Sequence, residues 1–125
     1  MAEDHEECDI DGVEKKVQEY LSKSKNNTAI KFLLKEPPVF TKDEDIKRRY
    51  AQCVFNAMKN IRNDKIPNSV SKLDSDQLDV LMKYVYRGLE NETKRNAAFL
   101  KWHAEITKKA GVGCIVRMIA DRKTV

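Results

Sequence analysis

Histidine, cysteine and closely spaced glycine are the residues through which a chain of this size could do chemistry, and each occurs here in a pattern that can be weighed. His5 and Cys8 form an HxxC pair near the N-terminus, the kind of donors zinc takes. Two ligands leave half of a tetrahedral shell unfilled, so no metal site is expected from them. Cys8, Cys53 and Cys114 are odd in number and lie about 45 and 60 residues apart, with no local partner for a short disulfide loop. They read as reduced thiols of a cytoplasmic protein.

His103 follows Trp102 on a helical stretch with basic residues nearby. As a general base it would need an orienting carboxylate, and Glu105, two residues on, falls on a different helical face. A histidine hydrogen-bonded or packed on a helix face is the expectation. Gly111-Val112-Gly113 has the glycines of a phosphate loop but follows a helix and lacks both the preceding strand and a Gly-Lys-Ser/Thr ending. It fits a helix cap. With no nucleophile and base, carboxylate pair, metal shell or phosphate cradle, the chain is expected to be no enzyme and to carry no cofactor.

Charge is distributed unevenly. Residues 1–11 hold six acids (Glu3, Asp4, Glu6, Glu7, Asp9 and Asp11) and no Lys or Arg, while the rest carries 24 basic residues against 14 acidic ones. A basic body steers toward phosphates or acidic proteins without choosing among them. The pairs Lys15-Lys16, Arg48-Arg49, Lys94-Arg95, Lys108-Lys109 and Arg122-Lys123 are scattered over the elements, which favours solvated helix faces over a nucleic-acid stripe. No stretch reaches the roughly 18 to 20 apolar residues of a membrane span, and the start is acidic, so neither insertion nor secretion is expected.

The elements that would position these residues are helical throughout. Residues 1–9 have too little apolar surface to offset ordering and read as a mobile acidic tail, with 10–125 as one domain. Ile10, Val13, Val17, Tyr20 and Leu21 recur at three- and four-residue steps, predicting a first helix to about Ser24. A second runs from Thr28 to Lys35 and stops at Pro37-Pro38. Thr41 and the acids Asp43 to Asp45 should start a third, its inner face Ile46, Tyr50, Cys53, Val54, Ala57, Met58 and Ile61, with Lys42, Lys47, Arg48 and Lys59 pointing elsewhere. Asn63-Asp64 and Pro67 lead into a short helical turn, Val70 to Leu73.

Asp74 or Ser75 can cap a fifth helix with the stripe Leu78, Leu81, Met82, Val85 and Leu89, and with Gly88 where a helix would fray. Glu92 to Ala110 is a sixth, with Ala97, Phe99, Leu100, His103, Ile106 and Ala110 broadly on one side and Gly111 as a left-handed cap. A last helix starts near Gly113. Cys114 to Asp121 is nearly all apolar and must be covered on more than one side, by its own domain or by a partner. No alternating strand pattern competes, so the class is all-α, an α–α superhelix or compact bundle of about seven helices.

Leu81-Met82-Lys83-Tyr84-Val85-Tyr86-Arg87-Gly88-Leu89-Glu90 resembles a segment of the smallest subunit of the actin-related protein 2/3 complex. Leu100-Lys101-Trp102-His103, then Ala110-Gly111-Val112-Gly113-Cys114-Ile115-Val116-Arg117-Met118-Ile119, and the closing Arg122-Lys123-Thr124-Val125 are similar to that family in the same order and spacing. Asn27-Thr28-Ala29 and Lys35-Glu36-Pro37-Pro38 extend the resemblance to roughly residues 17–125. It implies an α–α superhelix of seven helices and a non-catalytic structural subunit supporting actin nucleation and filament branching, beside subunit four and the propeller subunit one. It also implies an acidic N-terminal arm reaching actin-related protein 2, of which only about a dozen residues precede helix one here. Actin filaments would be met through the complex, in the cytoplasm, the cytoskeleton and cell projections.

Partner contacts are expected in or behind Trp102, His103, Ile115, Arg117, Arg122, Lys123 and Val125, because an apolar last helix and an exposed aromatic such as Trp102 suit a permanently covered surface. The rival class is a free-standing basic helical module that binds nucleic acid or acidic membrane. Salt separates the two, since phosphate binding weakens steeply with salt and an apolar interface does not.

Overall fold

A computed structural model describes residues 9–91, 96–121, 124 and 125, all but the side chain of Asn96. Seven α-helices lie among them: α1 (Ile10–Ser22), α2 (Asn26–Lys35), α3 (Glu44–Lys59), α4 (Ile66–Ser71), α5 (Ser75–Asn91), α6 (Asn96–Ala110) and α7 (Val112–Ala120). A 3-10 turn, Asn63–Lys65, leads into α4, and the described residues contain no strand. The all-α expectation holds.

Each start has a physical cause. Asp9, at the end of the expected tail, accepts from the Gly12 N–H and caps α1. The Asp43 carboxylate accepts from the Asp45 and Ile46 N–H groups, so Asp43 caps α3, and Thr41 instead accepts from the Asp43 N–H. Asp74 and Gln77 exchange backbone-to-side-chain bonds of 2.9 and 2.8 Å, a reciprocal capping box at the head of α5. α2 begins two residues before the predicted Thr28, because Asn26 and Asn27 are helical and spend their side chains on long-range bonds, to the Asn60 carbonyl and the Ser69 hydroxyl. The start of α6 expected at Glu92 falls outside the described residues.

α1, α2 and α3 pack on one another, and α5 lies against α2, α3, α6 and α7, with α4 on α6. One continuous core results. Its middle is Leu33, Val54, Ile66, Leu81, Met82, Tyr84, Val85 and Ile106, all fully buried. Aromatic pairs tie the layers: Tyr50 on Tyr84 with ring centroids 6.3 Å apart, and Phe55 edge-on to Phe99 at 5.2 Å. The Tyr50 hydroxyl donates to the Leu33 carbonyl at 2.5 Å, satisfying an acceptor near the end of α2.

Four expectations need correction. Lys47 does not point away from the core: it shares a helical face with Tyr50, Ala51, Val54 and Met58, is 5% exposed, and donates to the Thr124 hydroxyl at 2.8 Å. Its stem packs in the core while its ammonium meets the chain end. Ala97 and Leu100 lie outside the core, Leu100 at 56% exposed, because the buried stripe of α6 is Phe99, Trp102 and Ile106, with Glu105 beside it. Trp102, expected to be exposed, is 1% exposed for the same reason.

Gly88, expected at a fraying end, is buried inside α5, which continues to Asn91. A methyl in place of its hydrogen would stand 2.5 Å from the Phe99 ring, so glycine is what lets α5 and α6 approach. Gly88→Ala should therefore cost about 1 to 3 kcal/mol of folding free energy despite alanine's higher helix propensity. Urea unfolding checks this, and a gain in stability would show that Phe99 can move aside.

Candidate interaction surface

α7 is where the sequence puts more apolar surface than this chain covers. Cys114 is fully buried, and Ile115 and Met118 are half-buried against the core. One turn apart on the opposite side, Val112, Val116 and Ile119 are 67, 60 and 72% exposed. Single exposed apolar side chains are ordinary on a protein surface, but three at i, i+4 and i+7 line one helical face. The double coverage expected for α7 is supplied on one side only within this chain.

Gly111 sets the helix at this angle. Its φ of 79° is open to glycine and strained for other residues, and its N–H bonds the Thr107 carbonyl at 2.8 Å, which closes α6 before α7 turns away. Two ion pairs then fasten α7 to α5. Arg117 grips Asp79 with two bonds of 2.9 and 3.0 Å, and Lys83 pairs with Asp121 at 2.6 Å. Hydrogen bonding to the Arg117 guanidinium holds the Asp79 carboxyl below the usual carboxylate range.

The sign of that shift gives a pH dependence. A depressed folded-state value means that the Asp79 contribution is complete above the ordinary aspartate value of about 4, and is lost as pH falls from there through the lower folded value. Asp79→Asn should flatten the acid side of the stability profile below about pH 4 and leave the dependence from there to about pH 8 unchanged. Thermal melts across pH 2 to 8 check it, and an unchanged acid limb would remove the ion pair from the account.

The other expected contact residues separate by burial. His103 is half-buried on α6, 2.9 Å from the Tyr86 hydroxyl through Nε2. Glu105 does not orient it: that carboxylate accepts from Lys101 at 3.1 Å and Lys108 at 3.4 Å, and its pKa is lowered chiefly by Lys101. Ile115 is half-buried and Arg117 exposed, both on α7. Trp102 and Val125 are inside the chain's own core, at 1 and 4% exposed, and reach a partner only by supporting the residues above them. Arg122 and Lys123 lie outside the described residues.

Val116 and Ile119 belong to the apolar run expected from the sequence, which begins after Val112 and does not separate its open side from its covered one. An apolar stripe does not say which of its sides the domain covers.

Chemistry that the sequence raised finds little support in the geometry. Cys53 and Cys114 are buried and in no disulfide, and burial pushes the Cys114 thiol up to about 11, so it is protonated and unreactive at neutral pH. No group of three His, Cys, Asp or Glu residues could hold a metal ion among the described residues, and His5 and Cys8 lie outside them. No helix is long and apolar enough to cross a membrane among the described residues.

Part of the basic charge is also already matched. Arg49 bonds Asp11 and Glu14, joining α3 to α1, and Arg48 bonds Asp45. Lys109 donates to the carbonyls of Val70, Ser71 and Leu73 at 3.1, 2.8 and 2.6 Å, capping the C-terminal end of α4 from α6. Arg49 and Lys109 thus hold helices together, while Arg48 pairs within α3.

A helical domain with several charges paired across its own helices and one helix face left apolar and open has the build of a protein-interaction scaffold. The chain belongs to the family of the ARP2/3 complex 16 kDa subunit (p16-Arc), whose sequence profile matches residues 1–125. It is 41% identical over 118 residues to the actin-related protein 2/3 complex subunit 5 of Dictyostelium discoideum, covering 94% of this chain and 85% of that one. It is 37% identical over 98 residues to subunit 5-C of Xenopus laevis, covering 78% of this chain and 65% of the relative. Against the subunit 5-like protein of Rattus norvegicus, identity is 32% over 119 residues, covering 94 and 73%. The resemblance read from the sequence is thereby shown.

Proposed function

We propose that this chain is a non-catalytic structural subunit of the actin-related protein 2/3 complex, supporting actin filament nucleation and branching, with the outer face of α7 seated on a neighbouring subunit. The observation that carries the placement is the exposure of Val112, Val116 and Ile119 along one face of a helix in a member of this family. Left in water, such a face forfeits the transfer free energy of three branched side chains, about 1.5 kcal/mol or more each if fully covered. A permanent partner recovers it.

Its neighbours in this reading are subunit four and the propeller subunit one, with actin-related protein 2 beyond them, and it meets actin filaments through the assembled complex. Its place is the cytoplasmic actin cytoskeleton, including the cortex of cell projections. His103, Ile115, Arg117, Arg122 and Lys123 join α7 at the contact, with Trp102 and Val125 as internal support. The alternative, a basic module binding nucleic acid or acidic membrane, loses ground because Arg48, Arg49, Lys83, Lys101, Lys108 and Arg117 are engaged by carboxylates of the same chain.

Hydroxyl-radical footprinting of the free chain and of the purified particle tests the placement. Oxidation at Val112, Val116 and Ile119 should fall severalfold on assembly. Equal oxidation in both states would take α7 out of the interface while leaving membership of the complex intact.

A further inference from the structure

Lys47 presents a problem of charge. Its side chain is nine-tenths buried, and buried ammonium groups are ordinarily matched by an anion. Here the partner shown is neutral, the hydroxyl of Thr124, 77 residues away and 2.8 Å from Nζ. Thr124 itself is exposed, so the oxygen that Lys47 grips stands at the edge of solvent. Val125, next to it, is 4% exposed and packs in the core, so the Thr124-Val125 segment is a strap laid onto α3. In sequence Thr124 follows Arg122 and Lys123, and basic residues just before a hydroxyl are what many protein kinases read.

We propose that Thr124 is a phosphorylation site and that its phosphate pairs with the Lys47 ammonium, locking the strap on α3. In the transfer, Thr124 Oγ attacks the γ-phosphorus of ATP, the Oγ–P bond forms, and the bond from that phosphorus to the β–γ bridging oxygen breaks. ADP leaves, and the hydroxyl proton passes to the kinase's catalytic carboxylate. A kinase needs the peptide extended, so the strap must lift for the reaction and settle afterwards. The product places a charge near −2 and three acceptor oxygens beside an ammonium that previously met a neutral oxygen. Attraction between two full charges is then added to a bond that was charge-assisted on the donor side alone. The modification therefore records that the strap has opened and holds it closed.

The test has two arms. Phosphopeptide mass spectrometry of the particle purified from its own cells with phosphatases inhibited should find phosphate on Thr124. Full-length chain carrying phosphothreonine at that position, made by joining a synthetic C-terminal peptide to the expressed remainder, should melt about 3 to 8 °C above the unmodified chain. The gain should vanish in Lys47→Met, and hydrogen exchange at Thr124 and Val125 should slow only when Lys47 is present. Should Lys47→Met fail to fold, Lys47→Arg keeps the charge and should preserve the gain. Absence of phosphate at Thr124 in the particle, or a phosphorylated chain no more stable than the unmodified one, overturns the proposal.

Discussion

Val112→Asp combined with Val116→Asp should leave the isolated chain folded and abolish its incorporation into the complex. Both side chains are more than half exposed in the free chain, at 67 and 60%, so the exchange removes little burial. Surface substitutions of this kind ordinarily change stability by about 0.5 kcal/mol or less. At the head of α7 a carboxylate also meets the positive end of the helix dipole. In the assembled state the same two carboxylates would be sealed against apolar surface without a partner, at several kcal/mol each. Since each 1.4 kcal/mol is tenfold, an affinity loss on the order of a thousandfold or more is expected. Circular dichroism melts should superimpose on those of the unsubstituted chain while co-purification with the other subunits disappears. Normal co-purification would mean that another surface carries the assembly.

Trp102→Ala should do the opposite and act on the chain alone. Trp102 is the largest of the fully buried side chains, on the same stripe of α6 as Phe99 and Ile106. Truncating a buried Trp costs about 3 to 5 kcal/mol through lost transfer free energy and the cavity left behind. For a domain whose total stability is about 5 to 15 kcal/mol, that is a large fraction of what holds it folded. Urea titration of the isolated chain should show the loss directly, with Trp102→Phe falling in between. If Trp102 were an interface residue, as its sequence context suggested, the isolated chain would be nearly indifferent and only assembly would suffer. The two variants thus separate what α6 does inside from what α7 does outside.

How much could be read beforehand followed from what each signal measures. Helix periodicity and stop signals report local chemistry, and the sequence accordingly carried the all-α class, the Pro37-Pro38 stop, the α5 start at Asp74 or Ser75 and the glycine after α6. Burial on a given face depends on which other helix arrives there. Lys47 looked like a solvated charge until the chain end was laid over it, and Gly88 looked like a weak point until the Phe99 ring was placed against it. Trp102 faces inward and Val116 outward for the same reason: only the packing of α6 and α7 on α5 decides which side of each helix is covered. Glu105 shows the limit most sharply, since it is two residues from His103 in sequence but pairs with Lys101 and Lys108, four and three residues away along the same helix.

The most direct test of the central claim is to tag this chain at its N-terminus, purify it from its own cells at moderate salt, and identify the stoichiometric particle on gel filtration. A particle containing two actin-related proteins and the propeller subunit, stable as salt is raised, is the expected result, because an apolar interface does not depend on counterion release. Elution of the chain alone, or with nucleic acid that salt strips away, would contradict it.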